Sequence, residues 1–383
     1  MSHPRRGKMS RKQLLAGARR VVIKVGSSVI SSSETAGLDP SAVRGLAGQI
    51  GSVCRSGKET ILVSSGAISA GLEALDLDRP PKSIPLKQAA AAVGQSRLIQ
   101  AYERHFRRTG LPVAQVLLTH DDVQDRKRFL NARNTLLTLL SKGVLPIVNE
   151  NDTVAVEEIW FGDNDTLSAL VAHMVEADLL LILTDVEGFY TADPHIDGEA
   201  HLLSEVEPSQ ETVQAAAGPG LGPLGTGGMV TKLQAARAVG AGGIPSVVAY
   251  GRRRGVIPAI LRGEDVGTLF RPQGERLRGR KPWIAFGRKS KGRIVVDAGA
   301  RRALAEGRKS LLPSGVLDVK GSFGFGDSAS CVEENGREFA RGLVNYSSGD
   351  LKRIKGRHTR AIAGILGSKG YDEVIHRDNL VLL

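Results

Sequence analysis

Cysteine is scarce: Cys54 and Cys331 are the two in 383 residues. They lie far apart and neither sits in a C-x-x-C pair, which excludes a disulfide framework and a zinc site of the usual spacing. No run of about eighteen apolar residues is present, so no membrane-spanning helix is expected. The first twenty residues hold seven Lys and Arg and no acid, and they lack the apolar core of a secretory signal. They read as a disordered basic tail over 1–19, with Met9 as an alternative start that leaves open whether residues 1–8 are translated. A reducing, cytoplasmic setting fits. Solenoid-type repeats are missing, and so is the phosphate-loop signature G-x-x-x-x-G-K-[ST].

Acidic charge looks scarce as well, since the formal net charge is +12. Divided along the chain, that figure loses its nucleic-acid meaning. Residues 1–20 carry +7, residues 271–293 carry +8 and residues 294–383 carry +3, which leaves −6 for residues 21–270. The front part is acidic, so the high pI says little about what it binds. At 383 residues two domains are the natural expectation.

What is present is a set of buried-strand patterns ending in small or polar turns. Arg20 to Val25 reads as a strand ending at Lys24, followed by Gly26-Ser27-Ser28. A glycine turn lets a phosphate approach backbone N–H groups and the lysine adds charge, although a snorkelling strand-end lysine fits this stretch equally well. Thr60 to Ser64 runs into Ser65-Gly66-Ala67, a second turn of the same chemistry. Helices are expected over 39–56, over the Ala-rich 83–108 and over 129–140, with strands at 113–118, 144–148 and 179–183. Near-continuous apolar strands alternating with helices specify a doubly wound α/β domain whose sheet is covered on both faces.

Two oxygen-rich clusters stand at element ends. Asn149, Glu150, Asn151 and Asp152 follow the strand at 144–148. Asp163, Asn164 and Asp165 precede Leu167, Leu170, Val171, Met174 and Val175, which share one helix face. Turn and cap residues look like this too, but two clusters flanking one alternating segment, 154–161, favour a site in the crevice beyond the strand ends. The glycine-rich run 218–228 leads into a helix expected over 229–239 with Lys232 in its first turn, a second place where phosphate is favoured. From Arg271 to Lys281 the composition turns to Arg, Gly and Pro and marks a linker. Short strands after it, with one helix at 298–306, fit a small barrel.

These stretches, KVGSSVI at 24–30, SSGAISAG at 64–71, KQAAAAVGQSRLIQ at 87–100, FLNARNTL at 129–136, NEND, GDND, LTDVEGFYTADP at 183–194 and GTGGMVTK at 225–232, together resemble the glutamate 5-kinases of the amino-acid kinase family. The part after the linker resembles their appended PUA domain. The resemblance implies a three-layer αβα sandwich over 20–270, a linker over 271–290 and a PUA-like domain over 291–383. It implies phosphorylation of the γ-carboxylate of L-glutamate by ATP with Mg2+, the first step of proline biosynthesis, with feedback inhibition by proline. It further implies a homo-oligomer that hands its product to the next enzyme of the pathway.

By resemblance, Lys24 and Lys232 act on the transferring phosphoryl group and Asp165 holds those lysines. Ser65, Asp152 and Asn164 match glutamate-binding positions, with Asn149 close by. Thr184, Asp185 and the stretch Thr226, Gly227, Gly228, Met229, Val230, Thr231 and Lys232 match the ATP site, Lys24 included. No direct protein ligand for the metal is assigned, since Mg2+ is expected to ride on the ATP phosphates. Two rival readings exist. One is RNA binding through the PUA-like part, where Lys352, Arg353, Lys355, Arg357 and Arg360 cluster but Tyr346 is the nearest aromatic for base stacking. The other is a relative acting on N-acetylglutamate, aspartate or UMP, against which the NEND cluster and the PUA-like part speak.

Overall fold

Apolar runs such as VVIKV, TILVS, LPIVN and LLLIL can only be satisfied between two layers, and the protein gives each of them a central place in one sheet. The structure, a computed structural model, describes residues 9–32, 36–154, 164–192, 194, 197–207, 226–273, 276–277, 279, 281, 283–287, 290–307, 309–368 and 370–383. It divides into two compact units, Met1–Arg276 and Leu277–Leu383.

The first unit holds strands β1 (Arg20–Val25), β2 (Glu59–Ser64), β3 (Val113–Leu118), β4 (Leu145–Glu150), β5 (Leu179–Thr184), β6 (Glu205–Val206), β7 (Ser246–Tyr250) and β8 (Thr268–Phe270). Their order in the sheet is β3-β4-β2-β1-β5-β7-β8-β6. All pairings are parallel except β7 with β8. Side chains alternate between faces. Val21, Ile23, Val25, Leu181 and Leu183 therefore join one core with the helices Pro40–Arg55, Ile84–Arg107 and Val256–Leu261. The helices Asn164–Met174 and Thr226–Ala241 pack on each other, and the first of them covers β1, β2, β4 and β5. This is the doubly wound αβα arrangement, with Lys24 on the face turned to the Asn164–Met174 helix.

Two helices of the first unit meet backbone to backbone. A Cβ at Gly94 would lie 1.7 Å from the Ala67 carbonyl oxygen, and one at Gly71 would lie 1.9 Å from that of Ala90. Glycine is therefore required at both crossing points, and their contact fixes the helix Ala67–Leu72 directly behind Ser65 and Gly66.

The N-terminal stretch departs from expectation. Residues expected as a disordered tail form a helix, Arg11–Ala16, closed by a Ser10–Gln13 capping box. Leu15 is fully buried, and Arg11 donates to the carbonyls of Ser204, Glu264, Val266 and Gly267. A basic count alone could not show that one arginine is consumed by four carbonyl oxygens at a sheet edge.

The second unit is a five-stranded sheet, β10-β9-β11-β12-β13, of β9 (Gly292–Val296), β10 (Val316–Gly321), β11 (Ser328–Val332), β12 (Glu338–Leu343) and β13 (Leu380–Leu382). Beyond the expected helix, now Ala298–Ala305, it contains two helices that the sequence pattern does not announce, Ser348–Ile354 and Ile362–Leu366. The basic cluster falls on and after the first of these. Arg353 donates to the Ile365 carbonyl and Lys355 pairs with Asp318 at 3.0 Å, so two of its five cations are engaged in holding the unit together.

The stretch 271–290, read as a linker, is used by both units. Arg271 pairs with Glu205 and Arg276 with Asp178, each at 2.6 Å. Trp283, Ile284 and Ala285 are buried in a π-helical turn against β12 and β13. One Trp-Ile-Ala island inside an Arg/Lys-rich run is enough to seat that turn. Cys54 and Cys331 are free and lie in different units. No helix among the described residues is long and apolar enough to cross a membrane.

Candidate active site

From β1 the chain builds the sheet towards β2, β4 and β3, and then returns to β1's other side for β5 and β7. The β1–β5 boundary is thus the topological switch point, where a parallel sheet opens a crevice beyond its strand ends. The turn after β1 is closed by the Gly26 N–H donating to the Leu183 carbonyl at 3.0 Å, and the turn after β2 by the Ser65 N–H donating to the Val25 carbonyl at 3.0 Å.

Three charges meet in this crevice. Asp165, 0% exposed in the first turn of Asn164–Met174, takes Lys24 Nζ on Oδ1 at 2.6 Å and Lys232 Nζ on Oδ2 at 3.3 Å. Thr231 Oγ1 donates to the same Oδ2 at 3.1 Å, and Lys232 also donates to the Gly228 carbonyl at 2.7 Å. Burial would raise the Asp165 carboxyl, but the fields of Lys24 and then Lys232, with hydrogen bonds from Lys24 and Thr231, outweigh it and hold the group below its ordinary range. Among the described residues, two ammonium groups against one carboxylate leave one positive charge in a nearly solvent-free place. Such an excess is costly unless an anion shares it.

Beside the charges lies an uncharged cluster. Asn164 Nδ2 donates to Ser65 Oγ at 2.8 Å and to Asn149 Oδ1 at 2.9 Å, and Asn149 Oδ1 also accepts the Glu150 N–H at 2.9 Å. With both amide hydrogens committed, Asn164 presents a buried Oδ1 that has no protein partner among the described residues. Asp152 stands at the rim, half-buried. Its carboxyl is pushed up by burial, and no cation pairs with it among the described residues. Neighbouring residues Asn164 and Asp165 therefore join the polar cluster to the charged one.

At the end of β5, buried Thr184 donates through Oγ1 to Asp185 Oδ1 at 2.9 Å. The helix expected from residue 229 begins at Thr226, so Gly227, Gly228, Met229, Val230 and Thr231 are helical and Lys232 falls in the second turn. Glycines normally discourage a helix; here the Lys232 ammonium bonds back to the Gly228 carbonyl. Asp163, the segment 155–161 and the glycine-rich residues 218–225 lie outside the described residues. His173 does not enter the site: it is buried on Ala238, with Nε2 3.0 Å from that carbonyl, and burial lowers its pKa to about 4.

Residues 19–250 match the amino acid kinase family and residues 292–366 match the PUA domain. The chain is 50% identical over 373 residues to a glutamate 5-kinase of Citrifermentans bemidjiense, covering 97% of this chain and 100% of that protein. It is 50% identical over 369 residues to the glutamate 5-kinase of Moorella thermoacetica, covering 96% and 97%. This chain belongs to the glutamate 5-kinases of the amino acid kinase family. Among solved structures, a UMP kinase from Bacillus anthracis superposes with a TM-score of 0.49 and 19% identity over 68% of this chain and 99% of that one.

In this amino acid kinase the structure also brings residues to the crevice that the motif reading did not single out. Tyr102, wholly buried, shares a hydrogen bond with Ser64 Oγ at 3.0 Å, and Ser64 in turn donates to the Ser65 carbonyl at 3.0 Å. The signal was the spacing of Leu98, Tyr102 and Phe106, about one turn apart on one helix face. That spacing announces burial, but it does not show that a phenol reaches a strand end. Among the described residues no three His, Cys, Asp or Glu side chains gather as a metal-binding group.

Proposed function

We propose that the chain transfers the γ-phosphoryl group of ATP to the γ-carboxylate of L-glutamate, giving γ-glutamyl phosphate and ADP. The observation that carries this reading is the Lys24–Asp165–Lys232 triad set against the Ser65–Asn149–Asn164 cluster. Among the described residues a buried excess of positive charge adjoins a neutral, hydrogen-bonding recess. The acceptor carboxylate is already ionised at neutral pH and needs no general base, so a site without a titrating histidine suits the reaction. What the reaction needs is two anions held in line and their repulsion offset.

In this reading Lys24 and Lys232 approach the charge that develops on the transferring group from two sides, and Asp165 fixes both ammoniums in place. Ser65, Asn149 and Asn164 hold the amino acid. Asp152 takes its ammonium group, which supplies the missing cation and draws the raised carboxyl back to its ionised form. Thr184, Asp185 and Thr226 to Lys232 hold the nucleotide, which enters as its magnesium complex with the ion carried on the phosphates. The reaction opens proline biosynthesis, and proline acts as feedback inhibitor. The enzyme works in the cytoplasm as a homo-oligomer and passes its labile acyl phosphate to the next enzyme.

The test is ATP-dependent hydroxamate formation with L-glutamate, L-aspartate and N-acetyl-L-glutamate as acceptors. Hydroxamate from glutamate alone supports the proposal. A preference for either of the other two moves the chain to a neighbouring specificity.

A further inference from the structure

The long helix Ile84–Arg107 carries a buried glutamine that neither the charged triad nor the substrate cluster uses. Gln95 is 9% exposed and shares a helix face with Ala91, Gly94, Leu98 and Tyr102. Its Nε2 donates to the Glu150 carbonyl at 3.2 Å, and its Oε1 accepts from Gln115 Nε2 at 3.1 Å. Gln115 lies on β3 in register with Ile147 of β4. On the far side of the same peptide unit, the Asn151 N–H donates to the Leu118 carbonyl at 3.0 Å. The plane joining Glu150 to Asn151 is thus gripped at its oxygen by Gln95 and at its nitrogen by Leu118. Asn149 and Asp152 flank that peptide.

We propose that Gln95, oriented by Gln115, is a positioning residue for the acceptor site: it sets the Glu150–Asn151 peptide plane and through it the placement of Asp152. This rests on the assignment of Asp152, Asn149, Asn164 and Ser65 to the amino-acid substrate. A buried amide that uses both its donor and its acceptor in one geometry is a directional constraint, unlike an apolar side chain of the same size. The same helix reaches the other half of the recess, where Tyr102 bonds to Ser64. One rigid rod therefore sets the relative position of the β2 and β4 ends, and its i, i+7 residues provide the two attachments. If the peptide tilts by about 15°, the next Cα, some 3.8 Å along the chain, moves by about 1 Å. Errors of that size weaken the binding of an oriented substrate considerably.

The experiment compares the wild-type chain with Gln95→Met, Gln95→Glu and Gln115→Leu. The methionine keeps length and bulk and removes both hydrogen bonds. Gln95→Glu keeps an acceptor for Gln115 and turns a carboxylate oxygen towards the Glu150 carbonyl. Steady-state rates are measured with glutamate, aspartate and N-acetylglutamate varied in turn at saturating MgATP, then with ATP varied. Gln95→Met should raise KM for the acceptor that the wild type uses by roughly tenfold, with the ATP KM within about twofold. Gln95→Glu should raise it at least as much, and Gln115→Leu by roughly two- to threefold. Independent of any substrate, amide exchange at Asn151 should quicken in Gln95→Met and Gln95→Glu.

An unchanged acceptor KM together with unchanged Asn151 exchange in Gln95→Met overturns the proposal, and so does a rise in both KM values alike, which marks a packing role. Should Gln95→Met not fold, Gln115→Leu on the edge strand decides by the same two readouts. A wild type that ignores glutamate overturns the substrate reading instead, and the Asn151 exchange still judges the peptide clamp.

Discussion

Replacing Asp165 by Asn tests the charge arrangement most directly, because it alters one atom's chemistry at a position 0% exposed. Asp165 faces Lys24 at 2.6 Å and Lys232 at 3.3 Å. With an effective dielectric of about 20 each attraction is several kcal/mol before desolvation is subtracted. Removing one partner from such a buried arrangement costs about 3–5 kcal/mol, because the charges left behind stay buried. Here two ammoniums would repel across a neutral amide. We expect Asp165→Asn to lose about that much stability in urea denaturation and to lower kcat by roughly two to three powers of ten in the hydroxamate assay, since both lysines leave their stations. MgATP should raise the variant's Tm more than the wild type's, because the phosphates return negative charge to the lysines. The pH dependence follows the same logic. The folded carboxyl is held below its ordinary value of 3.8, so the unfolded chain binds the proton more readily. The triad's contribution is complete above that value and is lost as pH falls through the depressed folded pKa; Asp165→Asn should lack this acid-labile component. A variant as stable as the wild type, with turnover within about threefold, would refute the reasoning.

Lys24→Ala and Lys232→Ala should each lower kcat by about two or more powers of ten with little change in either KM, and Lys→Arg should restore activity only in part because a planar fork replaces a compact charge; near-normal turnover in either alanine variant counts against the assignment. Asp152→Ala should raise the glutamate KM strongly and leave the ATP KM almost unchanged, with Asp152→Asn milder; a collapse of ATP affinity would mean the two clusters have been exchanged. Gly94→Ala forces a Cβ to 1.7 Å from a backbone oxygen and should cost about 3 kcal/mol or more, read as a fall in urea midpoint. A chain ending at Arg276 should fold and phosphorylate glutamate with altered proline inhibition and magnesium dependence, whereas one ending at Phe270 should be less stable because it loses the pairs of Arg271 with Glu205 and Arg276 with Asp178; a folded but inactive Arg276 product would place part of the active site in the second unit.

The central strands and long helices of the first unit were legible because burial of the sheet on both faces leaves near-continuous apolar runs between helix-spaced segments. LLLIL at 179–183 and the spacing of Leu98, Tyr102 and Phe106 needed no tertiary information. Where the reading went astray, local composition pointed one way and a long-range contact another. Arg11 looks like one more charge in a basic tail, and only the carbonyls of Ser204 and Val266 make it an anchor. Lys352 to Arg360 read as a basic cluster, yet Leu351 just before it and Ile354 within it are buried and bring a helix into the second unit. In the same way the glycines at 227 and 228 suggest a later helix start than Thr226, because the bond from Lys232 back to Gly228 is invisible to a propensity scale.

For the site, the sequence shows which residues have suitable chemistry but not which atoms remain unspent after folding. Asn149, Asn164 and Ser65 could all be read as turn and cap residues. What separates them from caps is their mutual engagement: Asn164 gives both amide hydrogens to the other two and keeps a buried oxygen free of protein donors among the described residues. Lys24 could have been a snorkelling strand-end lysine, but strand alternation turns it towards the helix that carries Asp165, and at 2.6 Å no reach to solvent is left. Gln95 is the converse case. Inside an alanine-rich helix it reads as a neutral helix former, and its importance comes entirely from meeting a carbonyl on β4 at 3.2 Å. A residue acquires a role in a site when the fold spends its polar atoms in one direction only, and that direction is fixed by contacts between segments that the sequence keeps far apart.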